Sequence, residues 1–591
     1  MRRLIPLALA LLLVACQAPA SNLPDGASAY QATLNPLTGQ QFYFVLADRF
    51  ANGDTSNDTG GLSGDRLATG YDPTDIGFFH GGDLKGLLDK LDYIQGLGTT
   101  ALWIAPVFAN QVVQGTGDQA SAGYHGYWVT DFTKVDPHLG SGDDLRALVD
   151  AAHQRGMKVY LDVIANHTAD LISLQDPNGY GGGFVSLEQS PYRDAAGADF
   201  DPRVGADQTA FPTLDAKTSF PYVPQRNGEV APACLSDVTV YHNRGNIDWG
   251  VDDDEMYRFG DFSGLDDLMT ENPAVLECMS GIYEAWIDFG IDGYRVDTGR
   301  HVNMEFWTGF TKAMREHAAQ EGREFFEFAE VYLTTPSEIS PYIADGGFDA
   351  ALDFPFQEAA ISFASGGSAS VMRDLFDQDG VYQTATTDAR AMVTFLGNHD
   401  MGRVGYFLAN TAQAERRSAL AHALMFLSRG QPVVYYGDEQ GFVGEGGDKA
   451  ARQDMFGNAA ASFTNQTLLD GSTMGSAEHY STNGLYAQIA ALGKLRSENV
   501  ALRTGVQQLL SAEYQVLVFS RYDPQEKVEY VVALNSSDDP KQASFKSLTP
   551  GASYSVLWGD AQPVSADGDA EVALTVPAIG GLVLKADRPM G

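Results

Sequence analysis

At 591 residues, 44% of them hydrophobic and 11% aromatic, the chain belongs to the soluble globular class and is too long for one ordinary core, so one large domain and at least one smaller one are expected. Asp and Glu number 77 against 38 Lys and Arg, a formal charge of −39. That balance argues against nucleic acid or an anionic membrane surface as a partner and suits an uncharged substrate or a bound cation.

The N-terminus, MRRLIPLALALLLVACQAPA, sets two arginines before an apolar run of the signal-peptide type, too short to span a membrane. Its end, Leu13-Val14-Ala15-Cys16, resembles a bacterial lipobox, in which the cysteine becomes the lipidated first residue. Residues 1–16 then form a lipoprotein signal and 17–38 a tether. Gln17 and Ala18 lack the acidic residue associated with inner-membrane retention. The expectation is an exported protein, lipid-anchored to the outer membrane and touching membrane only through that anchor; the plain alternative is an ordinary signal peptide that happens to contain a cysteine. Cys234 and Cys278 would then lie in an oxidising compartment, where a disulfide is allowed but not required.

From about residue 40 strand and helix signals alternate. QFYFVLADRF reads as a strand; Leu84, Leu87, Leu88, Leu91, Ile94 and Leu97 recur at helical spacing until Gly98; TTALWIAP is the next strand. Leu145, Leu148, Val149 and Ala152 form a second helical stripe closed by Gly156, before MKVYLDVIANH. The pattern continues through GIDGYRVDT, EFFEFAEVY, FDAALDF, AMVTFLGNHD and QPVVYYGDE. Eight β-then-α units predict a TIM barrel over 39–500, enlarged by insertions because the unadorned fold needs only about 250 residues. Residues 168–262, rich in Gly, Asp, Pro and Tyr, read as an inserted subdomain after the third strand. Beyond 500 the short alternating runs YQVLVFSRY, VEYVVALN, YSVLWG and AEVALTV predict a C-terminal antiparallel β-sandwich over 501–591.

In such a barrel chemistry sits where strands end. Asp162, Asn166 and His167 close the third strand, Arg295 and Asp297 the fourth, Glu330 the fifth, and His399 and Asp400 the seventh. Arg295 and Asp297, two apart in a strand, share a face. Alone, that pair reads as a buried salt bridge. Glu330 has the parity of Phe326 and Phe328, so a carboxylate points where apolar residues face inward. Three carboxylates at one mouth push at least one pKa up, giving a protonated acid beside an ionised nucleophile, which is what glycosidic cleavage requires. Arg295 can keep Asp297 ionised and oriented.

DVIANH, GYRVDTGRH, FAEVY and FLGNHD, in that order on those strands, with GLDDL at 264–268 and GYHGYW at 123–128, resemble the signature regions of the α-amylase superfamily, glycoside hydrolase family 13, and the likeness spans roughly residues 40–590. It implies retaining, endo-type hydrolysis of α-1,4-glucosidic bonds in starch-like glucans and maltooligosaccharides, with Asp297 as nucleophile, Glu330 as general acid/base and Asp400 as transition-state stabiliser. His125, Tyr127, His167, Arg295 and His399 would line the subsite of the cleaved sugar, and Arg300 and His301 stand where a Lys-His pair is commoner. The resemblance also implies two Ca²⁺ sites. Asn166 and Asp267 with the His301 carbonyl match one; Asn52, Asp54, Asn57, Asp58, Gly81 and Asp83 match the N-terminal loop of cyclodextrin glucanotransferase-like members, an oxygen-rich set suited to Ca²⁺ whose plain alternative is a solvated Asx turn. Two other functions stay open: a cyclodextrin-acting or transglycosylating relative, and a glucan-binding surface lipoprotein without catalysis. A monomer acting on α-glucan is the simplest expectation for partners.

Overall fold

The computed structural model describes residues 29–203 and 211–591. Cys16, the signal segment and the first part of the expected tether lie outside the described residues. Eight parallel strands form the barrel: β1 (Phe42–Val45), β2 (Ala101–Ile104), β3 (Lys158–Val163), β4 (Gly293–Val296), β5 (Phe326–Ala329), β6 (Ala350–Ala351), β7 (Val393–Thr394) and β8 (Gln431–Tyr435). Their order is β6-β5-β4-β3-β2-β1-β8-β7. A parallel bridge from Leu352 to Val393 closes the ring, and Asp353 N–H donates to the Val393 carbonyl at 2.9 Å.

The strands are short runs of β-branched and aromatic residues buried on both faces, as a sheet wrapped by helices demands. Alternate residues fill the interior: Phe44 stacks on Trp103 with ring centroids 3.8 Å apart, Trp103 meets Phe328 edge-on at 5.4 Å, and Phe42 meets Tyr160 at 4.9 Å. This aromatic plug has the parity of Asp162, Arg295, Asp297 and Glu330, so the polar side chains emerge directly above it.

Helix Gly142–Gln154 begins with a capping box between Ser141 and Asp144 and buries Leu145, Leu148, Val149 and Ala152. The stripe from Leu84 to Leu97, expected as one helix, is two, Leu84–Asp89 and Leu91–Gly96, because Lys90 leaves helical geometry at φ −103, ψ 8. The expected tether also ends sooner than residue 38. From Tyr30 the chain is strapped across the N-terminal ends of the strands: Tyr30 donates to Asp379 Oδ2 at 2.6 Å, and Asn35 Nδ2 to the Phe325 carbonyl at 2.8 Å and Asp349 Oδ1 at 3.1 Å. Buried acceptors on the barrel floor outcompete solvent for these donors.

The insertion after β3 contains small two-stranded sheets, Ile172–Gln175 with Val223–Arg226 and Tyr192–Arg193 with Asp199–Phe200. A disulfide from Cys234 to Cys278 ties it to helix Pro273–Asp288. Helix Val500–Thr504 still belongs to the barrel side, so the terminal domain starts at Val506 rather than 501. That domain packs a six-stranded against a two-stranded antiparallel sheet. In strand Val516–Tyr522 the period of two divides the labour: Leu517 and Phe519 join the barrel core, whereas Val516 and Val518 fill the sandwich.

Candidate active site

Arg295 is wholly buried and touches three carboxyl groups. Its Nη1 donates to Asp162 Oδ1 at 2.6 Å and Asp297 Oδ1 at 2.8 Å, and its Nη2 lies 2.5 Å from Glu330 Oε1. Burial pushes Asp297 up to about 6, with Arg295 opposing. Burial pushes Glu330 up to about 8; Arg295 opposes there too, while the charges of Asp297 and Asp400 add to the rise. A hydrogen bond joins Glu330 and Asp297, and it favours the proton on Glu330 and the charge on Asp297. The plug and the guanidinium thus hold an acid against an anion.

Asp400, at the loop after β7, is partly exposed. Arg452 Nη2 donates to its Oδ1 at 2.9 Å, and His399 Nε2 lies 3.2 Å from its Oδ2. Tyr127 hydroxyl donates to Asp162 Oδ2 at 3.0 Å and meets His399 Nε2 at 2.9 Å, so the His399 bond runs from imidazole to phenol oxygen. His125 Nδ1 accepts from Tyr127 N–H at 3.1 Å, which leaves its proton on Nε2. Burial holds His125 and His399 well below the ordinary histidine range and brings His167 down to about 3 and His301 to about 4. All four are held as neutral imidazoles; His125, His167 and His301 border the cleft, whereas His399 is covered, with its Nε2 engaged by Tyr127 and Asp400.

Asp297, Glu330, Asp400, Tyr127, His125, His167, Arg300 and His301 line a cleft of about 630 Å³. Arg295 and His399, expected on the sugar subsite, lie buried behind the wall of that cleft, because Asp162 and Asp297 hold the first and Tyr127 the second. The inserted subdomain supplies Trp249, Tyr257 and Phe262 to its wall, and the loop after β5 supplies Tyr332. Trp249 and Tyr332 expose 49% and 55% of their surface, enough for a ring face to meet sugar C–H groups. Arg300 sits on the rim, its Cζ 4.6 Å from the Tyr257 ring centroid and its Nη2 3.0 Å from Asp252 Oδ1. Tyr124 and Tyr332 sit within GYHGYW and FAEVY, yet nothing in those stretches assigns them a role; Trp249 and Arg452 do not stand out in the sequence at all. The first lies in the aperiodic insertion, Arg452 in a coil after β8, and both reach the cleft only through the tertiary fold.

Of the oxygen sets, Asn166 and Asp267 come together: Leu268 N–H donates to the Asn166 carbonyl at 2.8 Å, and Asp267 bridges His167 in antiparallel fashion. Asp267 Oδ2 is 2.5 Å from His242 Nδ1, whereas its Oδ1 is buried without a partner. His301 lies in the turn Gly299–His301, its ring 5.2 Å from Phe262, which stacks on His167. In the N-terminal loop, Asn52 Nδ2 donates to Asp58 Oδ1 at 2.8 Å, and Asn52 Oδ1 and Asn57 Oδ1 are buried without partners. Gly81, at φ +94, packs so tightly that a Cβ would sit 2.7 Å from Asp58 Oδ1. Asp83 accepts from Gly53, Asp54 and Gly86 N–H groups. Asp54 points elsewhere: its carboxylate is turned to solvent, toward Ser56 and, at 3.4 Å, Lys85.

Residues 44–505 match the α-amylase catalytic-domain family. An α-amylase of Streptomyces lividans is 46% identical over 580 residues, 95% of this chain and 62% of the relative, so the chain spans less than two thirds of that relative's length. A cyclomaltodextrin glucanotransferase of Klebsiella oxytoca is 28% identical over 88% of this chain and 74% of its own. The crystal structure of an Anoxybacillus α-amylase superposes with a TM-score of 0.69 at 26% identity, covering 94% of this chain and 99% of that one. With its signature residues gathered at one barrel mouth and this match running from the first strand to the last barrel helices, the chain belongs to the α-amylase family.

Proposed function

We propose that the protein is a retaining glycoside hydrolase that cleaves α-1,4-glucosidic bonds in starch-like glucans. The observation that carries this reading is the convergence of Asp297 and Glu330 on one buried guanidinium, Arg295, with Nη1 2.8 Å from the first and Nη2 2.5 Å from the second. Two carboxyls sharing one guanidinium fit the close pair, about 5–5.5 Å apart, of retaining enzymes, where no water fits between nucleophile and sugar, rather than the separation of about 6.5–9.5 Å in inverting ones. Asp297 attacks the anomeric carbon while Glu330 gives its proton to the departing oxygen. Glu330, then a base, draws a proton from water, which displaces Asp297 with a second inversion. Asp400, held by Arg452, accepts from sugar hydroxyls, and the neutral His125 on the cleft wall fixes the same ring, while His399 braces Tyr127 and Asp400 from behind. All three carboxyls face the cleft, which disfavours a binding protein without catalysis.

Calcium fits the two oxygen sets. Asp267 Oδ1, Asn52 Oδ1 and Asn57 Oδ1 are buried acceptors without partners, the hard oxygens such a cation takes. Asn166 and Asp267 would hold one ion; Asn52, Asn57, Asp58 and Asp83 with Gly81 the other. Bound calcium would cross-link loops to the barrel and supply no chemistry at the cleaved bond. Export and lipidation at Cys16 belong to the same proposal, supported by the Cys234–Cys278 disulfide, which suits an oxidising compartment.

Transfer to a second sugar is the competing outcome, favoured by the exposed Trp249 and Tyr332 on the cleft and by the glucanotransferase relative. Fresh digests of a maltooligosaccharide followed by proton NMR decide. Reducing ends of α configuration appearing first, with few products longer than the substrate, are expected. Initial β-anomers overturn retention, and dominant cyclic or elongated products move the protein to transfer.

A further inference from the structure

Arg452 orients Asp400, yet it lies in a segment after β8 with no regular secondary structure, where Asp448 adopts a left-handed φ of +65. What pins that segment is a buried tyrosine. Tyr124 is 4% exposed; its hydroxyl donates to the Asp448 carbonyl at 3.1 Å. The Arg49 guanidinium carbon lies 3.9 Å from the centre of its ring and that of Arg452 5.9 Å. Arg49, fully buried, donates from Nη1 to the Arg452 carbonyl at 3.0 Å, and its own carbonyl accepts from Met455 N–H at 2.8 Å. His80 Nδ1 fastens the far end of the segment to Asp454 at 2.8 Å. Arg452 is then turned to the cleft, with Nε on the His399 carbonyl at 3.2 Å and Nη2 on Asp400 at 2.9 Å, the exposed Asp448 carboxylate lying further from that Nη2 at 3.6 Å.

We propose that Tyr124 is a positioning residue for the reaction: by fixing Arg452 from beneath, in company with Arg49, it aims the Asp400 carboxylate at the sugar. Tyr124 borders the cleft and meets the His125 ring edge-on at 5.4 Å, but its hydrogen bond and its ring platform serve the Arg452 segment, and the proposed effect passes through Arg452. The inference rests on the hydrolase reading.

The test is a double-mutant cycle on maltooligosaccharide hydrolysis, with melting curves recorded for each variant. Tyr124→Leu removes the ring platform, and a carboxylate misplaced by a fraction of an ångström costs about 10- to 100-fold; the loss is expected in kcat. Tyr124→Phe, which keeps the ring and drops only the bond to Asp448, recovers all but about threefold, in line with one neutral hydrogen bond. In an Arg452→Ala background Tyr124→Leu costs nothing further, because coupled residues are not additive. Losses that multiply instead, or a Tyr124→Leu enzyme within threefold of wild type, overturn the proposal. Should Tyr124→Leu fail to fold, Arg49→Lys carries the same cycle. A wild type that turns over no glucan sinks both this inference and the hydrolase reading, whereas an active wild type with multiplying losses sinks only the role of Tyr124.

Discussion

At the strand ends burial drives both carboxyls upward, and what separates them is the company each keeps. Asp297 has Arg295 Nη1 at 2.8 Å and is favoured in its charged form by the proton that Glu330 keeps; Glu330 sees the charges of Asp297 and Asp400. The active form therefore has Asp297 ionised and Glu330 protonated. With kcat/KM measured against pH, activity should rise as Asp297 ionises near 6 and fall as Glu330 loses its proton near 8, the two limbs belonging to the coupled pair. Glu330→Gln removes the alkaline limb and about 10²- to 10⁴-fold of the rate, regained in part on substrates with activated leaving groups. An unaltered alkaline limb in that variant would refute the assignment. Parity along IDGYRVDT is enough to set Arg295 beside Asp297, and strand-end position is enough to bring in Glu330 and Asp400. It cannot reveal that Arg295 also grips Asp162, since that contact joins two strands through register, nor that Arg452 reaches Asp400 from a coil.

Barrel strands are the most legible elements, because each is a short apolar run between helical stripes and the parallel sheet buries both faces. The break at Lys90 is not, for the leucine periodicity continues through it. The insertion carries no period at all; its shape depends on Arg244, whose buried guanidinium gathers the carbonyls of Val185, Ser186 and Ser190, and on the link to helix Pro273–Asp288. The N-terminal loop is legible as oxygen-rich, but not that Asp54 turns outward while Asn52 and Asn57 keep orphaned oxygens inside. A ligand held only by the native state raises stability by about 2.7 kcal/mol at a hundredfold excess over Kd. A chelator should accordingly lower the melting temperature, and Asn57→Ala should lower it in the calcium-loaded protein but not in the chelated one. An unchanged melt, with no calcium by elemental analysis, removes both sites.

Over the whole molecule strand Val516–Tyr522 gives one face to the barrel and the other to the sandwich, and the inserted subdomain walls the mouth. Residues 30–38 lie on the opposite end, bound to Asp379, Asp388, Phe325 and Asp349 beneath the barrel. Membrane attachment through Cys16 would set the lipid no further from Ala29 than the intervening residues can reach, about 40 Å at full extension. Cys16→Ser should move the protein from the membrane to the soluble fraction without changing its specific activity, on short maltooligosaccharides and on long glucans alike. A wild type that is already soluble rejects the anchor; an anchored enzyme that is slow only on long glucans rejects the orientation. The strap across the floor thus fixes polarity. An anchor at Cys16, as proposed, would enter at the end opposite the cleft, so polymer would arrive and fragments depart on the side away from the lipid, and the bilayer would not compete with substrate for the mouth.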